Sequence, residues 1–190
     1  MIAETPPGVR RRTPRGQGRA RLVAAAAELF AENGVSGTSL QAIADRLGVT
    51  KAAVYHQFTS KDEIVIAVAE PVIGVLESIA DAAASADPSE SQAIAIAGLV
   101  DLALSERGTA AIVRRDPTMA RLLDAHEPYA RQIARIDALL LGPSPSTDRR
   151  LALAFAGGGI MAIGALPGFD GPTEQVRAGL IAAMTRALSI

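Results

Sequence analysis

Of the nineteen basic residues in the chain only two are lysine, Lys51 and Lys61, and they lie ten residues apart in the stretch GVTKAAVYHQFTSKDE, residues 48–63. Each follows a hydroxyl residue, Thr50 and Ser60. A Ser or Thr ahead of a helix accepts a hydrogen bond from a backbone N–H that the first turn leaves unpaired. Each lysine is therefore expected in the first turn of a helix, facing the positive end of the helix dipole at a cost of about 0.3–1 kcal/mol. A phosphate lying across both helix starts would reverse that cost, because free N–H groups, dipole and ammonium all favour an anion. Lysine, a flexible point charge, also suits a moving phosphate better than the fixed fork of arginine. The chemistry these residues point to is contact with a polyanionic backbone.

Other chemistries lack residues. There is no cysteine, which excludes a thiolate nucleophile, a disulfide framework and a cysteine metal site and suits a reducing cytoplasm. The two histidines, His56 and His126, are isolated, and no HExxH or paired-carboxylate pattern accompanies them. Neither an enzyme nor a cofactor or metal site is expected. Gly157-Gly158-Gly159 follows no strand and precedes no Gly-Lys-Ser/Thr, so it is not a phosphate loop. Net charge is -1, yet residues 1–61 carry nine basic and four acidic residues while 62–190 carry ten and sixteen. That asymmetry places a polyanion partner at the N-terminal part and excludes it from the rest.

The elements that must position these residues read as all-α, rich in Ala and Leu with 3% aromatics. Residues 1–18, with Pro, Gly and an arginine run, form a basic arm that buries nothing; their charge and proline rule out a secretion signal. A helix is predicted from Arg19 to Asn33, with Leu22, Val23, Ala26, Leu29 and Phe30 on one face and Gly34 as its stop. Thr38-Ser39-Leu40-Gln41 reads as a capping box opening a helix to Leu47, and Gly48-Val49 as a tight turn. Thr50 caps a helix from Lys51 to about Phe58, and Ser60-Lys61-Asp62-Glu63 opens a long one towards Ala84. Helix, glycine turn, helix, held by Ile43, Leu47, Val49 and Val54, is the helix-turn-helix pattern.

Beyond it, Ser89 with Gln92 reads as a third capping box for a helix to about Arg107, followed by a short piece to Arg115. Pro117 to Leu141 is divided at Pro128, and helices from Thr147 to Leu166 and from Thr173 to Leu188 complete the chain. The uncharged run from Leu151 to Phe169 is read as a packing helix with a small-residue surface; a membrane span is the alternative.

Residues from about Arg19 to Ile64 resemble the DNA-binding region of the tetracycline-repressor (TetR) family. The resemblance rests on Ala27, Leu29, Phe30 and Gly34, on Thr38-Ser39-Leu40 with Ile43-Ala44, on Gly48-Val49-Thr50-Lys51 with Val54-Tyr55-His56 and Phe58, and on Ser60-Lys61-Asp62-Glu63. It implies a head over 19–62, a helical ligand-binding and dimerisation domain over 63–190, and a recognition helix starting at Thr50. Carried over by position, Thr50, Lys51 and Ala52 face base edges or nearby phosphates, Tyr55 and His56 reach the backbone, and Thr38 and Lys61 grip phosphates on either side. Tyr55 as a core residue and His56 as a solvent-facing one stay open. Two departures are Ala52, where the family often has Gly, and Gln57, where it often has an aromatic, His or Asn.

The resemblance further implies a homodimer paired through the last two helices on a palindromic double-stranded operator. It also implies a pocket between Ile64 and Leu141 for a small effector, apolar or aromatic to suit the many Ala, Leu and Ile positions. Arg114, His126 and Tyr129 are the polar candidates for orienting it. The function expected is a cytoplasmic repressor released by its effector, with an activator or an architectural DNA-binding protein as alternatives.

Overall fold

The structure is a computed structural model that describes residues 17–105, 116–163 and 173–189. Nine α-helices and no strand occur among these: α1 Gln17–Gly37, α2 Leu40–Leu47, α3 Lys51–Tyr55, α4 Lys61–Ser85, α5 Pro88–Ser105, α6 Pro117–Asp124, α7 Glu127–Leu141, α8 Thr147–Ile163 and α9 Thr173–Leu188. The predicted arm up to residue 16, the piece to Arg115 and the end of the eighth helix beyond residue 163 lie outside the described residues.

Local chemistry sets the boundaries. Gly34, inside α1, has φ 73° and ψ 165°, a region open in practice only to glycine, and it bends the chain where a stop was predicted. The α2 N-cap is Ser39, whose hydroxyl accepts from the Ala42 N–H at 3.0 Å, so the predicted box starts one residue later than its Thr38. Gly48, at φ 63°, closes α2: its N–H and that of Val49 return to the carbonyls of Asp45 and Ala44, the paired bonds of a Schellman turn. Ser60 accepts from the Glu63 N–H and Glu63 in turn accepts from the Thr59 N–H at 2.7 Å, closing the capping box one residue early. The Thr59 and Ser60 N–H groups hold the Glu63 carboxyl below its ordinary range.

Among the boundaries that differ from expectation, α1 starts at Gln17, inside the predicted 1–18 arm, and resumes past Gly34 to Gly37. Helix α3 ends at Tyr55, because His56 and Gln57 turn the chain towards Phe58. Helix α5 starts at Pro88, in the first turn where proline's missing N–H costs nothing, so Ser89 is not a cap. Gln92 instead donates at 2.7 Å to the Leu140 carbonyl at the end of α7.

Two apolar clusters organise the helices. One joins Leu22, Leu29, Phe30, Ile43, Val54 and Phe58 to Ile64, Val65 and Val68 of α4 and to Met119 and Leu123 of α6. The head is therefore packed around the first half of α4, not separate from it. The other gathers Leu76, Ile79, Ile96, Val100, Ile136, Leu140, Ile160, Met184 and Leu188 from α4, α5, α7, α8 and α9. Tyr129 packs against both. No helix among the described residues is long and apolar enough to cross a membrane.

Helices α4 and α5 approach closely at Gly98, where an added Cβ would stand 2.8 Å from Cγ1 of buried Ile79. Gly98→Ala gains about 1 kcal/mol of helix propensity. It also overpacks the crossing, at about 1–3 kcal/mol. The expected outcome is a net loss of stability, seen as a lower urea midpoint with an unchanged m-value; Gly74→Ala on α4, with open space at its Cβ, is the control.

Candidate nucleic-acid interface

Helix α3 is five residues long, and everything on it except Val54 is exposed. Val54, fully buried, anchors it to the core with Ile43 of α2, also fully buried. Val49, expected to help hold the pair, is instead 42% exposed at the turn, and Leu47 is half-buried. The N-cap oxygen of Thr50 accepts from the Ala53 N–H at 3.2 Å, leaving its hydroxyl proton to donate outward. The N–H groups of Lys51 and Ala52 have no partner among the described residues. Tyr55 is 48% exposed, which removes the core alternative, and the Lys51 ammonium lies 5.7 Å from its ring centroid. His56 is exposed beside Gln57, with 3.5 Å between Nδ1 and Nε2. Thr50, Lys51 and Ala52 are thus exposed at the positive end of a short helix, and Tyr55 and His56 are exposed one turn further on, at its C-terminal end.

The other two candidates point elsewhere. Thr38 is 2% exposed, and its single hydroxyl proton lies between the carbonyls of Gly34 at 2.8 Å and Leu29 at 3.2 Å. It is an internal brace of the α1–α2 turn and offers no hydroxyl to a phosphate. Lys61 is half-buried and donates to the carbonyls of Val35 at 2.9 Å and Thr38 at 3.2 Å. The dipole cost expected for it is offset inside the protein, by carbonyls left over where α1 breaks. Only Lys51 keeps the free cation at a helix start that both lysines were expected to have.

Arginines around the head are also engaged. Arg46 bridges Glu28 at 3.2 Å and Glu32 at 2.7 Å, tying α2 to α1, and these carboxylates, Glu32 foremost, raise its pKa. Arg19 covers the Phe58 ring at 4.6 Å and pairs with Glu70 at 3.7 Å.

The body holds a cavity of about 450 Å³, lined by Val72, Leu76, Leu99, Leu102, Ile133, Ile136, Leu153 and Met184 among others. Tyr129 lines it as expected, but His126 does not: it lies by the head, beside a depression with Gln57 and Glu63, where it starts α7 without a side-chain cap bond. Arg114 lies outside the described residues. The polar groups that residue reading missed are Asp137 and Arg150, both exposed at the cavity mouth. Although the residue is exposed as a whole, desolvation of its carboxyl beside the cavity lining pushes the Asp137 acid above its ordinary range. Nothing in their spacing marks them, since α7 and α8 meet only in the folded chain.

The chain thus combines a helix-turn-helix head with a helical body that holds an apolar cavity. Residues 22–68 match the family model of bacterial regulatory proteins of the tetR family, which identifies the helix-turn-helix head of the chain as one of that family. Over 123 residues it is 34% identical to the HTH-type transcriptional repressor Rv3405c of Mycobacterium tuberculosis, covering 63% of this chain and 65% of that protein. Over 57 residues it is 42% identical to the HTH-type transcriptional activator FasR of Mycolicibacterium smegmatis, covering 30% of this chain but 26% of the relative. The fold is shared with AibR, solved in complex with isovaleryl coenzyme A and operator DNA, at a TM-score of 0.60 and 22% identity over 87% of this chain and 96% of that one. The alignments thus span about a quarter of FasR and just under two thirds of Rv3405c.

Loss of the Lys61 ammonium leaves the Val35 and Thr38 carbonyls without that donor. Lys61→Ala is expected to destabilise the chain by about 1–2 kcal/mol, in the range for hydrogen bonds to charged groups at a partly wet site. A thermal melt with Lys51→Ala alongside checks it: the exposed Lys51 change should leave Tm within about a degree.

Proposed function

We propose that the chain is a sequence-specific DNA-binding transcriptional regulator, a homodimeric repressor that a small apolar effector releases from a palindromic operator. The observation that carries the reading is the α3 surface: an outward hydroxyl on Thr50, two free backbone donors at Lys51 and Ala52, a free ammonium, and Tyr55 and His56 beside them. In this reading α3 enters the major groove, Thr50 and Lys51 meet base edges or the nearest phosphates, and Tyr55 and His56 hold the backbone. Thr38 and Lys61 are left out of the contact set. The residues ahead of α1 serve as a basic arm, those from α1 to 62 as the head and 63–190 as the body, with α4 belonging to the packing of both.

Dimerisation through α8 and α9 is supported by Phe155, 87% exposed, and Leu151, 63% exposed, one turn apart on α8. Gly158 and Gly159 follow, with open space over their Cα atoms that a second backbone can approach. Two heads so joined meet half-sites a helical turn or more apart. The cavity supports an effector with an apolar body and one polar group set towards Tyr129, Asp137 or Arg150. AibR, with its acyl coenzyme A and operator, shows that one protein of this fold holds both kinds of ligand. Likeness to FasR supports activation as a second reading, and transcription from a reporter with the operator moved across the promoter separates the two.

The test is binding of the purified chain to duplex DNA flanking its own gene, at two salt concentrations, with random DNA as competitor. Lys51→Ala is expected to weaken binding and lower the salt slope by about one unit. Lys61→Ala, at a temperature where it is folded, is expected to leave that slope unchanged. Equal, salt-sensitive binding to every sequence would replace the regulator by an architectural protein.

A further inference from the structure

Asp116 is a buried carboxylate, 8% exposed, that serves two elements at once. Its Oδ1 accepts the N–H groups of Thr118 at 2.8 Å and Met119 at 3.3 Å and so caps α6. Its Oδ2 accepts the N–H of Val35, 81 residues earlier, in the break that follows Gly34. Burial opposes its charge, yet the backbone donors of Val35, Thr118, Met119 and Ser36 hold the carboxyl below its ordinary range. A second link runs alongside, between the hydroxyls of Ser36 and Thr118 at 2.9 Å. Gly34 makes room for the carboxylate: a Cβ there would stand 3.0 Å from Oδ2.

The position of this contact matters more than its strength. Helix α6 is eight residues long; Met119 and Leu123 are buried in the head's cluster, and Leu123 also lines the cavity. On the head side, the Val35 carbonyl accepts from Lys61 at the start of α4, and the Gly34 carbonyl accepts from Thr38 next to the cap of α2. A cavity wall, a one-helix lever and the turn that orients the helix-turn-helix are therefore joined by hydrogen bonds with no loop between them.

We propose that Asp116 is the positioning residue through which occupancy of the cavity sets the attitude of the head: displacement of α6 at Leu123 is passed by the Asp116 carboxylate to the Gly34–Val35 peptide, and from there to the starts of α2 and α4. The inference rests on the reading of the cavity as the effector site. A bare helix cap would predict something different, and Asp116→Ser separates the two. Serine remains a good N-cap for α6 but is too short to reach Val35. Asp116→Asn, with one acceptor oxygen for two tasks, is the second variant should serine fail to fold.

The experiment uses the full chain. First, amide hydrogen exchange is followed at Val35 and Ser36, with Ile79 and Ile96 in the body as references. In Asp116→Ser, exchange at Val35 is expected to rise by about tenfold or more while the references stay unchanged. Second, Leu123→Ala, which alters the cavity wall on α6, is combined with Asp116→Ser in a double-mutant cycle read on affinity for the duplex flanking the gene. Leu123→Ala is expected to change affinity by about threefold or more with Asp116 present, and by less than about 1.5-fold once Asp116→Ser has removed the link to Val35, a non-additivity that independent sites do not give. Additive effects, or unchanged Val35 exchange, overturn the proposal. If no duplex binds, the DNA reading fails on its own, and the cycle is read instead on Val35 exchange, where Leu123→Ala must act with Asp116 present and lose its effect in the serine variant.

Discussion

A helix that breaks and restarts within a few residues leaves carbonyls and N–H groups without helical partners, and buried groups of this kind have to be satisfied or the break is not stable. Gly34 to Thr38 is such a break. The Val35 N–H goes to Asp116, the Val35 and Thr38 carbonyls to Lys61, and the Gly34 carbonyl to the Thr38 hydroxyl. Three side chains from three parts of the sequence thereby fix one turn. That turn sets where α2 begins, and α2 with its Gly48 closure sets where α3 stands. The exposed surface of α3 is the last consequence of a polar accounting done some way beneath it.

The same accounting sorts the cations. Arg46 is held by two glutamates, Arg19 by Glu70 and the Phe58 ring, and Lys61 by two carbonyls, so each fastens one element of the head to another. Lys51 differs: its neighbour is the face of an exposed tyrosine, which orients the ammonium and leaves its N–H donors free. A basic head is thus not a uniformly available one. In the proposed reading, charge counted along the sequence points to the polyanion-facing part, and the donors left free after internal hydrogen bonding point to the contact.

Elements governed by neighbours in sequence were legible there. The stop at Gly34, the caps at Thr50 and Ser60, the Gly48 turn, the division at Pro128 and the span Thr173–Leu188 all follow from residues within about one turn of the boundary they set. The errors share a different cause. Thr38 and Lys61 carry signals of a cap and a free cation, but their partners are backbone carbonyls up to 26 residues away, and no residue type marks a carbonyl. Gln92 was drawn from a supposed cap by a carbonyl 48 residues distant. Asp116 did have a local mark, an Asp directly before a Pro that opens a helix, and that pattern names it as a cap. Its second oxygen, turned to Val35, had none.

The division of the chain into head and body is better described by shared elements than by a boundary. Helix α4 gives Ile64, Val65 and Val68 to the head's cluster and Leu76, Ile79 and Ala83 to the body's, so one helix runs through both cores, with Pro71 interrupting its hydrogen bonds between them. Helix α6 is the opposite kind of connection, short and held at one end by the Asp116 carboxylate with the Ser36–Thr118 hydroxyl pair beside it, and at the other by Leu123 between the head's core and the cavity. A short lever transmits displacement where it is pushed. Packed cores respond to such a push by switching between arrangements, not by yielding continuously. A ligand that fits the cavity better in one arrangement therefore selects it for the head as well, by its difference in affinity between the two.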